Sequence, residues 1–101
     1  MKITVKGKHY DSGKMTRGKY SKYIKVRDEL VNKDMYSDED LDEMVSVLVK
    51  IFDNQFTEDD INDEFGIDEI ILGFNTIDYE IATKVNNKVE KMNKAFTKGK
   101  K

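Results

Sequence analysis

The residues best suited to chemistry in this chain are a lone histidine, a run of carboxylates and a helix that interleaves bases with aromatics. His9 is the single imidazole, and the chain holds no Cys. A histidine needs a second ligand to hold a metal, or a nucleophile and an orienting acid to act as a base, and neither stands near it in sequence. His9 therefore reads as a strand or turn residue. Asp53 and Glu64 bound a span of twelve positions, the length of an EF-hand loop. The interior does not follow the pattern: Gln55 stands at position three, and Glu58 stands at position six, where the turn requires Gly. The remaining acids define no pocket for paired general acid–base work and read as a solvated face.

Arg17, Lys19, Tyr20, Lys22, Tyr23, Lys25 and Arg27 have the make-up of a surface that stacks bases and contacts phosphates. Tyr20 and Tyr23, however, share a helical stripe with Ile24 and Leu30, which assigns them to a core. Gly7, Gly13 and Gly18 are too scattered to cradle a phosphate. No cofactor or metal is expected, and the chain reads as a non-enzyme.

The elements that position these residues follow from patterning. The chain has 101 residues, 38% of them hydrophobic and 38% charged, with no Pro and no Trp. That is one domain with a modest core. Lys2 to Lys6 alternates as a short strand, Gly7-Lys8 makes a hairpin turn, His9 and Tyr10 begin the return strand, and Gly13 closes the segment. Thr16 caps a first helix over about 17–33, with Tyr20, Tyr23, Ile24, Val26, Leu30 and Val31 as its apolar positions. Ser37-Asp38-Glu39-Asp40 is a capping-box start for a second helix over 38–53, buried through Leu41, Met44, Val45, Leu48, Ile51 and Phe52. Thr57-Glu58-Asp59-Asp60 repeats that signal for a short helix carrying Ile61 and Phe65 inward and closed by a left-handed Gly66. A long last helix runs over 68–95.

The expectation is an all-α fold of about four helices with an N-terminal β-hairpin. One domain covers 1–96, with the hairpin at 1–13 and a frayed basic tail at 97–101. The expected core comprises Ile24, Leu41, Val45, Leu48, Phe52, Ile61, Phe65, Ile70 and Phe74.

The last helix, about 27 residues and roughly 40 Å long, exceeds what the rest of the chain can cover. Val85, Val89, Met92 and Phe96 continue an apolar line along its second half. They are the candidate partner-binding residues, unless the first helix lies along them. Charge is segregated as well. Residues 1–33 carry ten Lys/Arg against three acids, residues 34–69 fourteen acids against Lys50, and residues 70–101 seven Lys against three acids. Such blocks either neutralise each other within one molecule or join copies head to tail through acidic (34–69) and basic (1–33, 70–101) faces. The acidic block would repel phosphate, so nucleic acid is not the expected partner. No apolar run is long enough to span a membrane, and the first residues lack the apolar stretch of a signal peptide.

Met1-Lys-Ile-Thr-Val-Lys-Gly-Lys8, Thr16 to Val31, Tyr36-Ser-Asp-Glu-Asp-Leu41, Ile51-Phe-Asp-Asn-Gln-Phe-Thr57 and the Ile/Val-rich helix to Phe96 together set the order of segments. In this order the chain resembles the small tail assembly chaperones of long-tailed (siphovirus-type) bacteriophages of Gram-positive hosts. The resemblance implies a holdase for the tape measure protein, the long helical rod that sets tail length. It implies action in the host cytoplasm and absence from the finished virion. It also implies a longer product made by programmed ribosomal frameshift, for which the codons of Lys98-Gly99-Lys100-Lys101 would supply a slippery sequence. The alternatives are a structural head–tail or virion component and, third, a nucleic-acid-binding regulator built on the first helix.

Overall fold

The computed structural model describes the backbone of residues 1–99 and the side chains of residues 1–88. Strands β1 (Lys2–Val5) and β2 (Lys8–Asp11) form an antiparallel hairpin, followed by helices α1 (Arg17–Leu30), α2 (Asp38–Ile51), α3 (Glu58–Glu64) and α4 (Ile67–Gly99). The architecture is the expected one, four helices behind a short hairpin.

The hairpin turn lies one residue earlier than the sequence suggested. Val5 pairs with Lys8, leaving Lys6 and Gly7 as the central residues, with φ of 50° and 76°. Positive φ at both central positions is what a two-residue type I′ turn requires. Lys6 is held there by α3: its backbone N–H donates to Glu64, and its ammonium lies 3.1 Å from Asp60. This register turns Val5 into the core, where it is 2% exposed.

All three predicted helix starts are present. The Thr16 hydroxyl accepts from the Lys19 N–H, and Ser37 with Asp40 and Thr57 with Asp60 form reciprocal capping boxes. The ends differ more. The first helix stops at Leu30 rather than 33, and the second at Ile51 rather than 53. Asp53 and Asn54 both take φ of 58°, a left-handed turn that closes α2 through Asn54 N–H to Val49 C=O at 3.0 Å. Asp and Asn tolerate this region better than other non-glycine residues.

Gly66 corrects the expected left-handed stop of α3. The helix instead leaves through Phe65 in an extended conformation, and Gly66 opens α4. Its carbonyl accepts from Ile70 N–H at 3.0 Å, and its own N–H donates to the Glu69 carboxylate at 3.0 Å. A β-carbon there would come within 2.6 Å of an Asp68 carboxylate oxygen, so a larger residue would have to push that exposed side chain aside. α4 continues to Gly99, beyond the expected end at 95, which makes Thr97 to Gly99 helical; Lys100 and Lys101 lie outside the described residues.

α2 is the centre of the molecule. Met44, Val45, Val47, Leu48, Ile51 and Phe52 are almost fully buried, against Tyr23, Val26 and Leu30 of α1, Ile61 of α3, and Ile70, Phe74 and Ile77 of α4. Of the predicted core, Val45, Leu48, Phe52, Ile61, Ile70 and Phe74 are buried, whereas Ile24, Leu41 and Phe65 pack at its margin. Val31, on the predicted apolar stripe of the first helix, is 68% exposed, and Ile67, the first residue of α4, is 63% exposed. The hairpin docks through Tyr10 on Phe56, ring centroids 5.2 Å apart, and Phe56 on Phe52 at 5.5 Å.

Candidate partner-binding surface

Several residues with chemical potential are committed to holding the fold. His9 Nδ1 lies 2.8 Å from Thr4 Oγ1 across the hairpin, a cross-strand pair. Asp53 meets the ammonium of Lys19 at 3.2 Å, while Glu64 accepts from Lys6 N–H, so the two ends of the twelve-residue span serve different partners. Among the described residues, no three of His, Cys, Asp and Glu stand close enough to hold a metal ion.

The basic, aromatic α1 is likewise drawn inward. Tyr23 is 1% exposed and packs on Phe74 of α4 with ring centroids 5.1 Å apart. Burial, then the Asp78 carboxylate, pushes its phenol well above the ordinary value. Arg27 reaches Asp78 at 3.2 Å. Lys19, 4% exposed, donates to the carbonyls of Ser12 (2.8 Å) and Lys14 (3.0 Å). It ties the loop after the hairpin to α1 and to the turn after α2. Of the two tyrosines in the base–aromatic pattern, only Tyr20 keeps an exposed ring, at 42%.

The basic and acidic blocks partly neutralise one another within the chain. Lys6 pairs with Asp60, Lys19 with Asp53, and Lys33 with Asp40 at 2.8 Å. Lys33 crosses the loop before α2 to reach its capping carboxylate, and this contact, with the Ser37 N–H, holds Asp40 below the usual carboxylate range. Asp38, Glu39, Asp42, Glu58 and Asp59 remain exposed around the starts of α2 and α3. A shallow groove of about 130 Å³ between α1 and α2 is lined by Lys22, Lys25, Val26, Glu29, Glu43 and Ser46. Ligand sites hold roughly 300–1,000 Å³, so this groove suits no small-molecule substrate.

α4 reaches beyond the rest of the fold. The helix is 33 residues long, about 50 Å, in a molecule whose longest dimension is 56 Å. Its radius of gyration is 16.2 Å, against roughly 13 Å for a compact chain of this size. The hairpin end grips α4 at two points: the Met1 ammonium meets Glu80 at 2.6 Å, and Lys84 donates to the Gly13 carbonyl at 2.8 Å. One turn's edge further on, Val85 is 54% exposed. Val89, Met92 and Phe96, the other predicted partner-binding residues, lie outside the described side chains. The sequence reading passed over Leu72 and Tyr79, which are 68% and 72% exposed on α4. Their separation of seven was the signal available.

A family model described as phage tail chaperone protein matches the chain over residues 1–101. The chain belongs to the phage tail chaperone family. No curated protein and no solved structure matches it. As a tail chaperone it works with the proteins of a phage tail. Among the described residues its histidine, its buried lysine and its capping carboxylates all contact neighbouring parts of the fold. Among the described residues, no helix of the tail chaperone is long and apolar enough to cross a membrane.

Proposed function

We propose that this tail chaperone binds the tape measure protein and keeps it soluble while the tail is built, without catalysing a reaction. The observation that carries the reading is the behaviour of α4. It is held by the body as far as Lys84, and beyond that point Val85 is exposed and the sequence continues with Val89, Met92 and Phe96 among Lys88, Lys91, Lys94 and Lys98. An apolar line flanked by cations suits an amphipathic helix with acidic borders, laid along it by helix-in-groove contacts. The acidic starts of α2 and α3 and the basic segments 1–33 and 70–101 give copies a means of packing side by side on a long rod. In this reading the chaperone acts in the host bacterial cytoplasm and leaves before the virion is complete.

Co-expression with the tape measure protein encoded in the same phage genome tests the proposal. A tape measure that becomes soluble and co-purifies with the tagged chaperone supports it. A tape measure that stays insoluble while the chaperone elutes alone refutes it for this chain.

A further inference from the structure

From the last residue of β2 onward, four successive carbonyls, Asp11 to Lys14, are all taken by side chains from elsewhere in the fold. Gln55, in the turn after α2, donates to Asp11 at 2.9 Å. Lys19 of α1 donates to Ser12 and Lys14, and Asp53 completes the surroundings of its ammonium. Lys84 of α4 donates to Gly13 at 2.8 Å. The rest of the hairpin is tied in the same manner. The Met1 ammonium meets Glu80, and Lys6 at the turn meets Asp60 and Glu64 of α3. Apolar anchorage is thin by comparison: Val5 alone of the two strands is fully buried, while Ile3 and Tyr10 are half-buried.

The closed position of this segment carries costs that opening removes. Ser12 Oγ is buried without a hydrogen-bond partner, a penalty that water lifts on exposure. The Lys19 ammonium is nearly fully buried, and carbonyls of the same segment hold it there. Lys6 sits at positive φ, a strained position for a residue with a β-carbon. A two-stranded hairpin is at best marginal by itself in water, so its strands do not persist once the ties are lost. Few buried apolar contacts and many side-chain bonds mark a unit at the low end of local stability. We infer that residues 1–15 form a strap that opens from the helical body as one unit, and that Lys84 is its latch to α4.

Opening the strap also releases α4. Ile77 is the last fully buried residue of that helix among the described side chains. From Tyr79 to Lys88, the polar ties of α4 to the body are Glu80 to Met1 and Lys84 to Gly13, both on the strap. The two elements are therefore coupled. Whatever holds α4 beyond Lys84 in its present position favours the closed strap, and whatever draws it away favours the open one. The coupling requires no particular partner.

Amide hydrogen exchange of the full chain, read peptide by peptide in a mass spectrometer, tests the inference. The hydrogen-bonded amides of the hairpin are expected to exchange together, and about a hundredfold or more faster than those of Val45 to Val49 in α2. Lys84→Met keeps the aliphatic stem and removes the donor. It is expected to speed exchange about tenfold in both 1–15 and 78–84, with α2 and the circular dichroism spectrum unchanged. Ser12→Ala removes the unpartnered hydroxyl and is expected to slow exchange in 1–15. Hairpin amides as slow as those of α2 would mean that the strap opens only with the whole fold, which overturns the proposal. So would a Lys84→Met effect confined to α4 or spread equally over α2, or faster strap exchange in Ser12→Ala.

Discussion

The ring of Tyr23 lies against that of Phe74, centroids 5.1 Å apart and planes inclined by 49°. This contact joins the basic first helix to the last helix across the core, and it separates two tyrosines that the sequence placed on one stripe. Tyr23 is buried and Tyr20 is 42% exposed. Tyr23→Ala should therefore destabilise the fold by about 3–5 kcal/mol, the range for deleting a buried aromatic side chain. Tyr20→Ala should stay within about 1 kcal/mol. Chemical denaturation of the two variants checks the difference, and equal losses would contradict the packing.

Ser37→Ala removes the acceptor for the Asp40 N–H, and Thr57→Ala does the same for Asp60. Each should cost about 1 kcal/mol, the usual worth of an N-cap side chain. Ser37→Ala should show the larger fall in thermal midpoint, because the three other helices all pack on α2, whereas α3 has seven residues and a single buried one.

These caps show what the sequence made legible. Thr16, Ser37 and Thr57 each carry their instruction within four residues, so the helix starts could be read locally. The ends could not. Asp53 and Asn54 turn left-handed where α2 hands the chain to Phe56 and α3, and Gly66 serves the start of α4 rather than the end of α3, its N–H bonding Glu69 and its carbonyl accepting from Ile70. The hairpin turn moved by one residue because Val5 must reach the core, a demand set by the helices and not by the turn itself. Leu72 and Tyr79 were missed for a related reason: core-facing Ile70, Phe74, Ile77 and Ile81 dominate the helical period, and the sparser line opposite them is visible only once the covered side is known. The exposure of Val85 follows from its place beyond the last contacts of the hairpin end with α4.

Acid should weaken the fold through identifiable carboxylates. Glu80 is held below its ordinary value of 4.5 chiefly by the Met1 ammonium, and Asp40 below 3.8 chiefly by Lys33. A carboxyl with a lowered folded pKa stabilises the protein above its unfolded pKa, and that contribution is lost as the pH falls through the folded value. Stability should thus decline below about pH 4.5, and Glu80→Gln should make the decline shallower. Midpoints measured between pH 3 and 7 check this; a variant with the wild-type slope would exclude the Met1–Glu80 pair as a contributor.

Glu43 carries the opposite sign. Its carboxyl lines the α1–α2 groove together with that of Glu29, and the nearness of the second acid raises its pKa above 4.5. A raised carboxyl pKa favours the fold below the unfolded value, and the benefit disappears as pH rises through the folded one. Glu43→Gln keeps a donor for Glu29 and removes the repulsion. It should raise the thermal midpoint at pH 7, with the gain vanishing as the pH drops through the carboxylate range.

Val85 is exposed just beyond the last contacts that hold α4 to the hairpin end. Val85→Glu should lower tape measure co-purification while keeping the wild-type circular dichroism spectrum. Salt gives a second check. An acidic partner recognised through Lys88 and the lysines after it must weaken as screening shortens the reach of charge from about 10 Å at 0.1 M to about 3 Å at 1 M salt. Partner capture should therefore fall steeply over that range, and capture indifferent to salt would exclude these lysines as the recognising groups.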